Sequence, residues 1–83
     1  MREVVYLKRA RKALAGMPAN TARQIVSKIE QYASDPESLA NNVVKLQGRE
    51  GYRLRVGDWR VIFRDDGVVL AILNVGPRGG VYE

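Results

Sequence analysis

The second half of the chain alternates apolar and polar residues, and glycine-containing dipeptides interrupt this alternation twice. The segment reads YRLRVGDWRVIFRDDGVVLAILNVG. Alternation with a period of two is typical of strands that bury one face, and both Gly57-Asp58 and Asp66-Gly67 suit two-residue hairpin turns. The pattern therefore predicts a three-stranded antiparallel meander over about residues 52–56, 59–65 and 68–75.

The first half of the chain predicts one strand followed by two helices. Residues 3–7 are rich in β-branched and aromatic side chains, which favour a short strand. Leu7, Ala10 and Leu14 recur at helical spacing, so a first helix is expected over about residues 8–16. Apolar residues between 22 and 33 follow the i, i+3, i+4 rule and predict a second helix that ends near residue 34. The short connection Gly16-Met17-Pro18 makes the two helices an αα-hairpin.

Residues 37–51 show no sustained periodicity and are predicted to form a loop, with a possible helical turn over residues 37–40. The element order is then βααβββ, with both helices on one face of an antiparallel sheet, which is an α+β fold. The other face of the sheet is expected to be open and basic. A chain of 83 residues has room for one domain, which we expect to span residues 1–83.

Four arginines are expected on the open face of the meander, because strand alternation points them away from the apolar side chains. They are Arg53, Arg55, Arg60 and Arg64. If Gly57-Asp58 forms the turn, Arg55 lies directly opposite Arg60, and like charges so placed destabilise a sheet by a few tenths to about 1 kcal/mol. An anion between the two side chains would remove this cost.

Two interpretations of these arginines are open. They can form a solvated outer face that Glu50, Asp58 or Asp65 partly neutralises. They can instead bind phosphate, because the rigid guanidinium fork matches two phosphate oxygens and no lysine occurs in the meander. The phosphate-binding interpretation is favoured, since no acidic residue inside the strands shares the arginine face.

Arg78 and Tyr82 follow the last predicted strand. We expect the chain that leaves this strand at Gly76 to bring both side chains back to the sheet. A guanidinium beside a phenol suits RNA, because the cation holds a phosphate and the ring stacks on a base. The alternative is a frayed terminal segment, which is usual for glycine-rich ends.

Composition excludes several classes of site. The chain contains no cysteine and no histidine, which excludes disulfides, thiolate nucleophiles, the usual zinc sites and Ser-His-Asp triads. The net charge of +5 favours a polyanionic partner: nucleic acid, an anionic membrane surface or an acidic protein. The chain has neither a signal-peptide pattern nor ~18 consecutive apolar residues, so we expect a cytoplasmic protein with no membrane association.

Together these motifs resemble a known family. The segment YRLRVGDWRVIF, followed by an apolar strand that ends in VGPRGGVY, lies behind one strand and two helices. This arrangement is similar to the RelE/ParE superfamily of type II toxin–antitoxin toxins, and within it to the RelE-like messenger-RNA interferases. The resemblance covers essentially the whole chain and implies a RelE-like fold.

The resemblance implies a toxin that inhibits translation as a ribosome-dependent endoribonuclease, with no metal and no other cofactor. In this family the 2′-hydroxyl of messenger RNA attacks the adjacent phosphate and leaves a 2′,3′-cyclic phosphate and a free 5′-hydroxyl. The implied partners are the ribosome, messenger RNA and 16S ribosomal RNA, contacted through the basic surface, together with a cognate antitoxin. A flexible acidic segment of the antitoxin can cover the arginines, or it can wrap the helical side around Leu14 and Ile29.

Residue roles follow from the same resemblance. Arg53 and Arg55 match the basic pair that is linked to nucleophile activation and phosphate contact. Arg60 matches the arginine that stabilises the transition state. Arg78 matches the residue linked to leaving-group protonation, and Tyr82 matches the aromatic that stacks on the substrate base. The candidate RNA- and phosphate-binding set also includes Arg64 and Lys45.

Two departures from the family pattern bear on catalysis. This chain has Arg53 and Arg55 where the best-characterised members have lysines, and Pro77 where histidine is frequent. A guanidinium with a pKa above about 12 is a poor general base. Two alternatives are kept: a ParE-like toxin that poisons DNA gyrase, against which the pairing of Arg78 with Tyr82 argues, and a basic RNA- or antitoxin-binding module without catalytic activity.

Overall fold

The computed structural model describes residues 1–80, so Tyr82 lies outside the described residues. The elements in chain order are β1 (Glu3–Tyr6), α1 (Lys8–Ala15), α2 (Ala19–Ser34), a 3-10 helix (Pro36–Asn42), β2 (Val43–Lys45), β3 (Tyr52–Val56), β4 (Trp59–Asp65) and β5 (Val69–Pro77). The predicted αα-hairpin and meander are confirmed. No helix within residues 1–80 is both long and apolar enough to cross a membrane.

The five strands form one sheet in the order β1-β5-β4-β3-β2. The α+β class is confirmed, but the expectation of a wholly antiparallel sheet is wrong, because β1 pairs with β5 in parallel. The remaining pairs are antiparallel. The direction in which β1 pairs depends on how the helical hairpin returns the chain to the sheet, and alternation within a strand carries no information about it.

The prediction of a loop over residues 37–51 is wrong in part. The 3-10 helix occupies its first half, and β2 then pairs with β3, with Val43 opposite Leu54 and Val44 opposite Arg53. Three residues are too few to show a strand period, so β2 owes its conformation to the unpaired edge of β3 rather than to a local pattern.

The core lies between the helices and one face of the sheet. Its largest fully buried side chains on this face are Phe63, Ile25, Ile29, Leu54, Leu70, Ile72 and Val61. The ring of Phe63 packs against Tyr32 and Tyr52, with centroid distances of 4.9 and 5.6 Å. Ile29 is 1% exposed, so an antitoxin wrapped around the helical side cannot contact it as expected; the outward face of α2 presents Ala22 and Val26.

The face opposite the helices also contains apolar side chains, in addition to arginines. Ile62 lies opposite Arg53 and is buried with Leu46, and Leu73 packs against both. A β-bulge between Ile62 and Phe63 allows this, because it leaves Leu73 as an extra residue of β5. The expected basic face is therefore interrupted at its centre by a small apolar cluster.

A hydrogen-bonded group joins the start of the chain, α2 and β4. Arg2 Nε donates to Asp65 Oδ1 at 2.6 Å, and the Tyr32 hydroxyl donates to Asp65 Oδ2 at 3.2 Å. The backbone N–H of Gly67 donates to the same carboxylate. The hydrogen bond to Asp65 raises the pKa of Arg2, and burial followed by the Asp65 charge raises the pKa of Tyr32.

Candidate functional site

The β3–β4 turn places two arginines side by side. Gly57 has a φ of +58°, the left-handed conformation that the first central residue of a II′ hairpin turn requires and that glycine adopts without strain. The resulting register pairs Val56 with Trp59 and Arg55 with Arg60, as the sequence predicts. The two guanidinium-bearing positions therefore share one face of the sheet, opposite the helices.

Arg60 and Arg78 both donate hydrogen bonds to backbone carbonyl oxygens at this turn. Arg60 Nη1 donates to the carbonyl oxygens of Gly57 and Trp59, at 2.9 and 3.0 Å. The backbone N–H of Arg78 donates to the carbonyl oxygen of Asp58 at 2.9 Å, directly after the end of β5. Arg55, Arg60 and Arg78 thus gather at one end of the sheet, and we call them the arginine cluster.

The other candidate cations lie at increasing distances from the arginine cluster. Arg53 is two residues from Arg55 on the same face, half-buried and opposite Ile62. Arg64 is also on this face, but four residues from Arg60, or about 13 Å along β4. Lys45 pairs with Tyr52 and so belongs to the helix-side face of the edge strand β2. Lys45 nevertheless lines one surface groove together with Arg53 and another together with Arg64, while it does not reach the arginine cluster.

Neutralisation by neighbouring carboxylates does not explain the arginine cluster. No acidic side chain within residues 1–80 forms an ion pair with Arg55 or Arg60. Asp65, one of the expected counter-ions, is instead bound by Arg2. Among the described residues, the like charges of Arg55 and Arg60 are thus opposed without a counter-ion, at a cost of a few tenths to about 1 kcal/mol that a bound anion would offset.

The chemistry that this surface offers is cationic. Within residues 1–80, no three acidic side chains are placed so that they could hold a metal ion. Guanidinium groups hold phosphate through paired N–H···O bonds and stabilise added negative charge, but they do not accept protons near neutral pH. The arrangement therefore fits a phosphate group whose charge increases during a reaction, or a phosphate that is only bound.

A groove that sequence reasoning missed lies on the other side of the same turn. It has a volume of about 670 Å³ between α2 and the β3–β4 turn. Asn20, Gln24 and Lys28 line its helical wall, and Trp59 lines the opposite wall. Their spacing of i, i+4, i+8 could have revealed this wall, since such residues form one polar line along a helix.

Comparison with a family model gives the first identification. The chain matches the model described as the ParE toxin of the type II toxin–antitoxin system parDE, over residues 4–82. No curated protein matches the chain.

Solved structures agree with this match. One chain of the archaeal RelE-RelB complex from Pyrococcus horikoshii OT3 is 31% identical, with a TM-score of 0.74, over 95% of this chain and 97% of that one. The isolated RelE toxin of E. coli is 20% identical, with a TM-score of 0.74, over 94% of this chain and 85% of that one. A chain of the RelBE2 toxin–antitoxin complex from Mycobacterium tuberculosis is 22% identical, with a TM-score of 0.75, over 93% and 98%.

The family model is named for ParE and the similar structures for RelE. The predicted resemblance is confirmed. The chain belongs to the RelE/ParE superfamily of type II toxin–antitoxin toxins.

Proposed function

We propose that this toxin is an endoribonuclease that cuts messenger RNA in the decoding site of the ribosome. The observation that supports this most is the direct pairing of Arg55 with Arg60, with Arg78 held at the same turn. A gyrase-poisoning toxin has no evident use for three cations gathered there, whereas a scissile phosphate needs cations on several of its oxygens.

The proposed reaction is an internal transesterification. The 2′-oxygen forms a bond to the adjacent phosphorus, the bond from phosphorus to the 5′-oxygen breaks, and a 2′,3′-cyclic phosphate and a 5′-hydroxyl result. The pentacoordinate transition state carries one more negative charge than the diester. Arg55 and Arg60 stabilise that charge by fixed hydrogen bonds, which is positioning combined with electrostatic stabilisation.

The protons are handled mainly by solvent in this scheme. The proton of the 2′-hydroxyl passes to water, because no guanidinium accepts it near neutral pH. Arg78 donates a hydrogen bond to the departing 5′-oxygen, which takes its proton from water. Tyr82, outside the described residues, stacks on the base beside the cleaved bond, and Arg53 contacts the neighbouring phosphate.

Arg64 and Lys45 have a lesser part in this proposal. Arg64 extends the basic face about 13 Å from Arg60, far enough to meet a different phosphate. Lys45, on the edge strand β2, lines surface grooves together with Arg53 and with Arg64 and can contact ribosomal RNA there. Both contribute to salt-dependent attachment rather than to the chemical step.

A cognate antitoxin is the proposed protein partner. The similar structures from P. horikoshii and M. tuberculosis are toxin–antitoxin complexes. An acidic antitoxin segment would place carboxylates between Arg55 and Arg60, which removes their repulsion and blocks the site at the same time. We expect this segment to order on binding, since coupled folding lets a short chain cover much of a small domain.

The ParE family model favours a second candidate, a toxin that poisons DNA gyrase. This function would use the same fold without ribonuclease residues. A third candidate is a basic module that binds RNA or antitoxin and has no catalytic activity.

One experiment separates the three candidates. The purified toxin is added to in vitro translation of a defined message, and cut sites are mapped by primer extension. Discrete cuts at the ribosomal decoding site support the proposal. Inhibition of gyrase supercoiling without cuts supports the second candidate, and neither effect supports the third.

Two additions to this experiment test the proposed site. Chelation of divalent metals, to a level at which ribosomes stay associated, should leave the cutting rate unchanged, because the proposed catalysis uses only guanidinium groups. Loss of cutting under those conditions would contradict it. Tyr82→Ala should cut more slowly and retain its stability, and a variant that cuts as fast as the parent rules out stacking by Tyr82.

A further inference from the structure

The groove between α2 and the β3–β4 turn has the size of a ligand site. Its volume of about 670 Å³ lies within the usual range of about 300–1,000 Å³ for small-molecule sites. Its walls are rigid elements: the first half of a 16-residue helix and a hairpin turn closed by the pairing of Val56 with Trp59. A ligand there would be held by preformed structure.

The groove lining combines the groups that recognise an unpaired nucleobase. Trp59 is half-buried and provides an indole surface. Asn20 and Gln24 carry amides, which both donate and accept hydrogen bonds, and Lys28 adds a cation. Proteins read single-stranded RNA by stacking bases on aromatic rings and by bonding their polar edges.

The groove and Arg60 meet at the β3–β4 turn, although no member of the arginine cluster lines the groove itself. The carbonyl oxygens that accept hydrogen bonds from Arg60 Nη1, at 2.9 and 3.0 Å, belong to Gly57 and Trp59. Both residues line the groove. Because Arg60 lies on the opposite face of the sheet, a nucleotide whose phosphate it holds would reach the groove around the end of the β3–β4 hairpin.

We propose that this groove binds one unpaired nucleotide next to the phosphate held by the arginine cluster, and that it contributes to the sequence preference of the toxin. The inference rests on the proposed function, because it takes RNA as the substrate. Asp58 also lines the groove and offers only acceptors when ionised. Asp58 can accept a hydrogen bond from the amino group of adenine, which uracil lacks, so we expect adenine to bind more tightly than uracil.

Tryptophan fluorescence tests this inference without any cleavage step. Trp59 is the only tryptophan in the sequence, so all tryptophan emission comes from a residue that lines the groove. Single-stranded hexaribonucleotides, each a homopolymer of one base, are titrated into the toxin. Fluorescence anisotropy of 5′-fluorescein-labelled hexamers measures binding to any part of the protein. We expect emission to be quenched in step with binding, and the uridine hexamer to bind at least about threefold more weakly than the adenosine hexamer.

Matched variants locate the effect. Asn20→Ala combined with Gln24→Ala should weaken hexamer binding by about five- to tenfold, while Asn41→Ala, an exposed asparagine outside the groove, should bind as the parent does. Alanine has a higher helix propensity than either residue, so the double variant should fold. If the circular dichroism of the double variant differs from that of the parent, hexamer binding is compared between the parent and the single variant Gln24→Ala.

The outcomes distinguish this inference from the proposed function. Binding without quenching, no binding of any hexamer, or equal affinity of the double variant and the parent overturns the groove proposal. Quenching that the double variant weakens, in a toxin that cuts no message, upholds the groove and refutes the ribonuclease. If the toxin cuts messages but shows no tryptophan quenching, the proposed function is supported and the groove proposal is wrong.

Discussion

The charged side chains at the two ends of β4 have opposite surroundings: those at one end are hydrogen-bonded within the fold, and those at the other end repel each other. At the Asp66-Gly67 turn, the carboxylates of Asp65 and Asp66 accept hydrogen bonds from the backbone and from neighbouring side chains. At the Gly57-Asp58 turn, Arg55 and Arg60 oppose each other with no acidic partner within residues 1–80. We call the two regions the aspartate end and the arginine end.

This difference separates charges that stabilise the fold from charges that remain available to a ligand. The side chain of Asp65 is only 9% exposed, and its bonds to Arg2 and Tyr32 connect the chain start and α2 to the sheet. Removing it leaves donors without acceptors. The arginine end is under a repulsive cost instead, so neutralising one of its charges should not harm the fold.

The largest expected effect is on activity at the arginine end. Arg60→Gln should reduce the rate of message cutting by about 10²–10³, the loss seen when one donor to a developing negative charge is removed. Glutamine can still donate to the carbonyl oxygen of Gly57, so the turn should persist. Rates of cutting in the translation assay measure this. Arg11→Gln on the exposed side of α1 is the control, and a similar loss there would mean that total charge, not the arginine cluster, sets the rate.

The next effect is on stability at the aspartate end. Asp65→Ala should lower the free energy of unfolding by about 2 kcal/mol, because Arg2, Tyr32 and the N–H of Gly67 lose their acceptor. For a chain of this length the midpoint of thermal unfolding should fall by about 10 °C. Differential scanning calorimetry measures the change. Asp65→Asn keeps an acceptor oxygen, so its unfolding midpoint should lie between those of Asp65→Ala and the parent. An unchanged midpoint in Asp65→Ala would show that the two ends of β4 do not differ in their contribution to stability.

Replacing Arg55 should have a smaller effect, which raises stability but lowers activity. Arg55→Gln should raise the free energy of unfolding by about 0.2–1 kcal/mol, since it removes the like charge opposite Arg60, while it slows cutting. Urea unfolding and the translation assay measure the two quantities. Arg64→Gln, which faces Ala71 and so relieves no cross-strand repulsion, should change stability less. A destabilised Arg55→Gln would mean that the repulsion is already offset within the fold.

The smallest effect concerns pH at the aspartate end. The N–H groups of Val69 and Val68 lower the pKa of Asp66 below its ordinary value of 3.8. The contribution of this carboxylate is therefore fully present above that value, and it is lost as the pH falls through the lowered pKa. Asp66→Asn should flatten the decline of the unfolding midpoint between pH 5 and pH 2, which thermal scans at several pH values would detect. An unchanged decline would place the acid sensitivity elsewhere.

Much of the arginine end could be predicted from the sequence. The alternation of residues 52–65 and the dipeptide Gly57-Asp58 fix the hairpin locally, and the register then brings Arg55 opposite Arg60. The groove beside the same turn could not be predicted, because its second wall is α2, more than 25 residues earlier in the chain. No local pattern relates Gln24 to Trp59.

The sequence alone determined the elements that a short-range period or a turn dipeptide specifies: both helices, the meander, and the face that each of its arginines occupies. Tertiary structure decided what depends on distant partners. Asp65 illustrates the division, because its position beside Arg64 made it a candidate counter-ion for the arginines. The fold instead pairs it with Arg2, 63 residues away, since the parallel docking of β1 on β5 brings the two chain segments together. Charges near in sequence but on opposite faces of a strand do not meet, and the packing of β1 supplies the nearer partner.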